Sequence, residues 1–379
     1  MPIRASNFSR ILHSMVDLEQ VFRDRQMVEA LLERLMDKLS GPLSFMEVCG
    51  THTMSIFRHG IRTLLPPDIR LVSGPGCPVC VTSQTDIDRM VGLSEIHGVV
   101  VATFGDLMRV PGTAGSLSDA RARGASVEIV YSPAEALNLA GSKPSSQVVF
   151  LSVGFETTAP VVAATVLEAQ ARGIENFSIY CCNKLMPPAL HALFQDEELE
   201  ISGLLCPGHV SSIIGAKAYE GLCARFSMPC VITGFEPVDI LTGLYHLTCQ
   251  ASEGKAFVEN VYHRAVPQDG NKRALALMEK VFEPTDAHWR GLGTIDKSGL
   301  ELREEFSAFD VQRRFEIEVK DSQQPKGCIC GKIIRAKALP TDCALFAKAC
   351  TPTKPVGPCM VSSEGTCSAY YKYGSYEEQ

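Results

Sequence analysis

"SQVVFLSVGFETTAP", residues 146–160, is an apolar, β-branched run closed by Gly, Phe and a carboxylate. Seven further runs read as strands: "LSFMEVCG", "IRLVSGPG", "GVVVATFGD", "ASVEIVYS", "FSIYCCN", "ISGLLCPGH" and "PCVITGFE". Helical stretches separate them, and strands alternating with helices predict parallel sheets in an α/β architecture. Eight strands in about 200 residues form one sheet or two. The segment "LAGSKPSSQ", 139–147, reads as a linker and favours two similar α/β domains, 41–140 and 141–254. A short internal echo supports that division. "ATFGD", "SVGFETTAP" and "ITGFEP" each close a strand with Gly, Phe and a carboxylate, while "SGPGCPVC" and "LLCPGHVS" close one with Pro, Gly and a reactive side chain. Residues 1–40 read as two helices, expected to pack on the carboxyl-terminal domain; "DRQMVEALLERLMDKLS" carries the helical spacing and ends before Gly41-Pro42. From 255 to 379 the chain becomes more charged and more helical, passes through the mixed segment "SGLELREEFSAFDVQRRFEI", and ends in a cysteine-rich third domain.

Bulk properties narrow the function. The 379 residues are 45% hydrophobic, ample for two or three cores. The net charge of −7 and the absence of long basic runs argue against nucleic acid as a partner. No apolar run approaches the ~18 residues of a membrane span. The amino terminus lacks an apolar h-region and a small-residue cleavage site, so a cytoplasmic location is expected. In that setting 15 cysteines are not a disulfide framework. Six of them, Cys181, Cys182, Cys206, Cys223, Cys230 and Cys249, lie in or near apolar runs and read as core residues.

The other nine carry the chemistry. Ligands of open parallel sheets bind outside the carboxyl ends of the strands. Those ends carry Cys49 and His52 in "CGTHT", Cys77 and Cys80 in "GPGCPVC", Asp106, Glu156, His209 and Glu236. Any one of them is as readily a loop or capping residue; as a set they point to one cleft between two domains. Cys77-x-x-Cys80 is the only CxxC in the chain, so a zinc ribbon, which repeats the pair, is disfavoured. A redox dithiol on an exposed loop fits better. The tail holds Cys328, Cys330, Cys343, Cys350, Cys359 and Cys367. Clustered thiolates without repeated CxxC knuckles favour an iron–sulfur cluster, which takes four ligands and leaves a pair, over an all-cysteine zinc site.

Together, "CGTHT", "SGPGCPVC", "GFETTAP", "CPGHVS", "TGFEP" and "CTPTKPVGPCMVSSEGTC" resemble the HypD family of hydrogenase maturation proteins, in order, from about residue 45 to 372. The resemblance implies a scaffold for the iron–cyanide–carbonyl unit, Fe(CN)2CO, of nickel–iron hydrogenases, working with a HypC-type small chaperone and a HypE-type cyanide donor. It implies three α/β-type domains and a 4Fe–4S cluster whose ligand spacing, C-x14-C-x6-C-x16-C, selects Cys328, Cys343, Cys350 and Cys367. Cys330 and Cys359 are then the disulfide-capable pair beside the cluster, and Cys49 the ligand of the cargo iron, an Fe(II) carrying cyanide and carbon monoxide.

Transfer of cyanide from a thiocyanate requires two electrons, which one 4Fe–4S cluster does not deliver in a single step and a dithiol does. A relay from the cluster to Cys330/Cys359, then to Cys77/Cys80, then to the iron at Cys49 is expected. His52 and His209 are the candidate proton donors or ligands, with Glu156 and Glu236 orienting them. A non-redox iron-binding scaffold and a stand-alone thiol–disulfide oxidoreductase stay open, so whether the chain is an enzyme is open too. No G-x-x-x-x-G-K-[ST] loop is present, which disfavours nucleotide chemistry.

Overall fold

All of the apolar runs form strands: β1 (Leu43–Glu47), β2 (Ile69–Ser73), β3 (Val99–Thr103), β4 (Val127–Ile129), β5 (Gln147–Gly154), β6 (Phe177–Asn183), β7 (Gly203–Pro207) and β8 (Cys230–Thr233). Three more follow, β9 (Val258–Asn260), β10 (Phe282–Trp289) and β11 (Gly293–Leu302). The computed structural model describes residues 22–317, 319 and 322–374. The helices that matter below are α1 (Arg25–Lys38), α2 (Gly50–Arg58), α3 (Pro78–Val81), α4 (Gln84–Ser94), α5 (Ala159–Ala171), α6 (Gly208–Ile214), α7 (Pro237–Ser252), α8 (Lys272–Val281), α9 (Cys330–Ile334), α10 (Pro358–Val361) and α11 (Thr366–Tyr373).

In β5 every residue from Val148 to Gly154 is buried, with no alternation. That is the mark of a strand covered on both faces, as parallel sheets are. Five parallel strands run in the order β2-β1-β7-β8-β9 and four in the order β4-β3-β5-β6. The chain is therefore α/β with two parallel sheets, plus the antiparallel hairpin β10–β11 and the cysteine-rich tail.

The sheets do not divide at residue 140. β1 pairs with β7 across more than 150 residues, and β3 pairs with β5 across the supposed linker. The four-stranded sheet is thus an insertion between β2 and β7, and each of the ranges 41–140 and 141–254 contributes to both sheets. Parallel partners need a long crossover, and nothing in a strand's own residues says how long it will be. "LAGSKPSSQ" ends a helix and turns into β5; Gly, Pro and Ser mark a helix stop there, not a domain boundary.

The amino-terminal helix also sits elsewhere than expected. Asp24 caps α1, and its apolar stripe of Val28, Leu31, Leu32 and Leu35 packs with α7 over the five-stranded sheet, away from the cysteine-rich tail. The first of the two helices expected in residues 1–40 lies outside the described residues.

The charged stretch after 255 is less helical than it reads. Between its buried ends, Phe282 and Trp289, β10 alternates half-buried and exposed residues, a strand whose polar positions imitate a solvated helix. Gly291 (φ +83°) and Gly293 (φ +80°) take the left-handed conformation that turns the hairpin. From Gly327 the tail folds back, and Cys330, Cys350, Cys359 and Cys367 join the same buried core as Met46, Val72, Val149 and Cys206 of both sheets.

Candidate functional site

β1 lies between β2 and β7, so the chain leaves it in opposite directions and the order of the sheet reverses there. Such a switch point opens a crevice beyond the strand ends. Cys49 sits at its mouth, in extended conformation, as the residue before α2. Gly76, beyond β2, passes so close that a Cβ on it would lie 2.5 Å from the Cys49 backbone nitrogen. The Gly50 N–H donates to the Gly76 carbonyl at 3.1 Å. "CGTH" and "GPGC" therefore form one unit, and glycine at 76 is what lets the two backbones meet.

A pocket of about 280 Å3 opens beside Cys49 and is lined also by Gly76, Pro78, Phe155, Thr157, His209 and Glu364. The thiol is held up at about 11, chiefly by burial and then by the nearby Glu364 carboxylate. Hydrogen bonds from the start of α2, at His52 and Thr51, oppose that rise. A buried thiol with donors aimed at it is built to become an anion when a cation arrives.

Cys77 and Cys80 are joined as a disulfide, with Cα atoms 5.2 Å apart. The pair is not on an exposed loop. Cys77 caps the single turn α3, Pro78 starts it, and both cysteines are buried because the tail covers them. A narrow cleft of about 10 Å3 is lined by Cys77, Cys80, Cys359, Ile334 and Glu364, which brings the dithiol segment against the tail.

The two histidines flank Phe235, with ring centroids 4.6 Å away for His52 and 4.0 Å for His209. His52 is fully buried, bonds Gly234 O through Nε2 at 2.8 Å, and has no partner at Nδ1. Burial lowers it to about 4, so it is neutral at physiological pH. His209 is the second residue of α6, is exposed, and lines the Cys49 pocket.

The carboxylates are not gathered as expected. Glu156 is buried away from the pocket that Phe155 and Thr157 line; one oxygen accepts from Met186 N at 2.8 Å and the other has no partner. Burial raises it to about 7. Glu236 caps α7 and pairs with Arg23 at 2.6 Å, on the surface. Asp106 accepts from Ser362 at 3.2 Å and so fastens the tail.

The carboxylate that does reach Cys49 is Glu364. It accepts from Thr51 Oγ1 at 2.8 Å and lines both the Cys49 pocket and the Cys77–Cys80 cleft. A Cβ on Gly50 would meet its side chain at 2.4 Å. A signal was present: Glu364 is the one carboxylate between Cys343 and Gly374, amid cysteines and glycine.

In the tail, Cys328, Cys330, Cys343, Cys350 and Cys367 line a hollow of about 10 Å3 whose other walls are Ile333, Leu345, Phe346, Met360 and Gly357. Cys328 and Cys330 sulfurs are 3.1 Å apart. Cys359 lines the Cys77–Cys80 cleft instead; its sulfur accepts from Cys367 N at 3.3 Å, and hydrogen bonds from Cys330 and Cys367 pull it well below the usual thiol range. Among the described residues no group of three or more His, Cys, Asp or Glu stands in metal-holding geometry. The donor set is nonetheless one of thiols alone, in an apolar enclosure. Of the six cysteines read as core, Cys182, Cys206, Cys223 and Cys230 are buried and Cys181 and Cys249 are half-buried. A hollow of about 490 Å3 opens at the carboxyl end of β6, lined by Cys181, Cys182, Asn183 and Lys184, and one of about 750 Å3 lies by the amino end of β1.

Two parallel sheets with thiols converging on the switch point of one of them define a cysteine-based α/β scaffold. The HypD profile, described as "Hydrogenase formation hypA family", matches residues 25–374. Hydrogenase maturation factor HypD of Azotobacter vinelandii is 44% identical over 362 residues, covering 93% of this chain and 96% of that one. The HypD proteins of Cupriavidus necator (44% over 343 residues, 88% and 90%) and Rhodobacter capsulatus (41% over 365, 93% and 97%) are similar throughout. The chain belongs to the HypD family of hydrogenase maturation factors.

Proposed function

We propose that this chain is the scaffold and redox component on which the iron–cyanide–carbonyl unit of a nickel–iron hydrogenase is assembled, with a HypC-type chaperone and a HypE-type cyanide donor as partners. The observation that carries the reading is the convergence of Cys49, the Cys77–Cys80 segment and Cys359 at one switch point.

The cargo iron is the substrate, and Cys49 is its thiolate ligand. Soft thiolate suits a low-spin Fe(II) that carries cyanide and carbon monoxide. His209 on the pocket wall is placed to move a proton, while buried neutral His52 holds the turn after β8. In its dithiol form the Cys77/Cys80 pair holds two electrons and two protons. Reaction with a donor thiocyanate R–S–C≡N gives R–SH, cyanide on the iron, one proton and the Cys77–Cys80 disulfide. Thiol–disulfide exchange with Cys330/Cys359 returns the pair to dithiol and leaves Cys330–Cys359 oxidised, and Cys359 lining the same cleft supports that exchange. Cys328, Cys343, Cys350 and Cys367 would hold the 4Fe–4S cluster, which when bound supplies single electrons.

The test is anaerobic co-purification with a HypC-type partner, followed by infrared spectroscopy. Wild type should show cyanide and carbonyl bands. Cys49→Ala should fold, keep its partner and lose the bands. Bands of normal intensity in the variant would move the iron elsewhere.

A further inference from the structure

Phe235, in the turn after β8, is packed by three other rings. His52 lies 4.6 Å from its centroid, His209 stacks at 4.0 Å and 28°, and Tyr262 meets it edge-on at 6.1 Å. The backbone beneath it is pinned as well. The Phe235 carbonyl accepts from Ser55 Oγ at 2.5 Å, and the Gly234 carbonyl from His52 Nε2 at 2.8 Å. Two glycines make room for the rings: a Cβ on Gly208 would lie 3.2 Å from Phe235 Cζ, and one on Gly234 2.7 Å from Tyr262 Cε2. The chain just beyond β1, β7 and β8 thus closes on one phenyl ring.

An imidazole at work in a site is ordinarily aimed by a hydrogen bond at its second nitrogen, which also fixes the tautomer. His209 has no such bond. Its carbonyl accepts from Ser212 Oγ at 2.7 Å, and among the described residues no hydrogen bond holds its ring. An exposed side chain without a neighbour exchanges among rotamers. The stack on Phe235 restrains it instead, because offset aromatic faces attract without using a ring nitrogen.

We propose that Phe235 is a positioning residue for His209: it aims the imidazole along the wall of the Cys49 pocket and leaves both nitrogens free. The ring then takes up a proton at one nitrogen and releases one from the other, and ends neutral as the opposite tautomer. The proposal rests on the reading of His209 as the group that moves a proton.

The experiment uses full-length protein carrying 13C-labelled histidine, with the His209 signals assigned by their loss in His209→Gln. Protons over an aromatic face are shielded. The His209 ring protons should therefore resonate upfield of those of a solvent-exposed histidine and move back in Phe235→Leu. Phe235→Tyr keeps the face and should keep the shift. Phe235→Met refills the volume without a face and serves if Phe235→Leu fails to fold. An unshielded His209 in the wild type would overturn the proposal with no variant needed. The second readout is the growth of cyanide and carbonyl bands in the complex with a HypC-type partner. Phe235→Leu should slow it by about tenfold to a hundredfold, as a misaimed group does, and Phe235→Tyr should restore it. A slowed variant that keeps the upfield shift, or a variant that loses the shift and keeps the rate, would reduce Phe235 to packing. Bands of wild-type intensity in His209→Gln would instead sink the reading of His209 and this proposal with it, and that failure shows in the single variant.

Discussion

The two parallel sheets are built alike and end differently. Beyond the five-stranded sheet, Cys49, Cys77, Cys80 and His209 face a pocket or a cleft. Beyond the four-stranded sheet, Asp106 is bonded to Ser362 and Glu156 to Met186 N, and only Phe155 and Thr157, after β5, reach the Cys49 pocket, as wall residues without a thiol. Both sheets reverse order at an inner strand, β1 in one and β3 in the other. The switch point is thus necessary for a site and does not suffice for one. The tail makes the difference: it covers the ends of β1 and β2 with Cys359 and Glu364, and meets the turn after β3 through hydrogen bonds from Ser362 to Asp106 and from Arg109 to Pro352 O, with no thiol there.

Gly76→Ala attacks the comparison where it is strongest. The new Cβ would collide with the Cys49 backbone, so a loss of about 3 kcal/mol in denaturant unfolding is expected, with the Cys77–Cys80 segment displaced. An unchanged midpoint would mean that the two loops do not depend on each other.

Glu156→Gln tests the four-stranded sheet. Burial raises the carboxyl from the usual range to about 7, so the folded state favours the protonated form. Its stabilising share is present in full below the unfolded value near 4.5 and is lost as pH rises through about 7. Wild type should therefore lose stability across that window, by on the order of 3 kcal/mol from this group. The amide should flatten the profile. An equally sloped profile in the variant would place the titration on another group.

Glu236→Ala should matter least. The residue caps α7 and holds a surface ion pair with Arg23, so about 1 kcal/mol of stability is at stake and no maturation activity. Loss of maturation by a stable Glu236→Ala protein would return this carboxylate to the site.

Much was legible before any fold was known. Strand positions were, because a parallel strand is a local apolar run and its end is punctuated by Gly, Pro and a polar residue. The thiols were legible as types: Cys49 and the CxxC follow strands, and six cysteines crowd the tail. Glu236 shows the limit. "ITGFEP" and "SVGFETTAP" look alike, yet one glutamate reaches a surface arginine and the other a buried backbone amide. A side chain's direction beyond a strand end depends on what packs there, which no local pattern records.

By itself, then, the sequence determined the class of architecture, the inventory of thiols and the family, since each rests on local pattern or on long ordered motifs. Tertiary structure alone decided that the four-stranded sheet is inserted within the five-stranded one and that α1 packs on α7. It also decided that Glu364 approaches Cys49 from more than 300 residues away and that Arg290 is buried against Thr82 and Gln84 from more than 200 residues away. The physical reason is common to all four: each is a pairing between distant segments, settled by how buried surfaces and backbone hydrogen bonds are shared, and the energy of such a pairing belongs to neither segment alone.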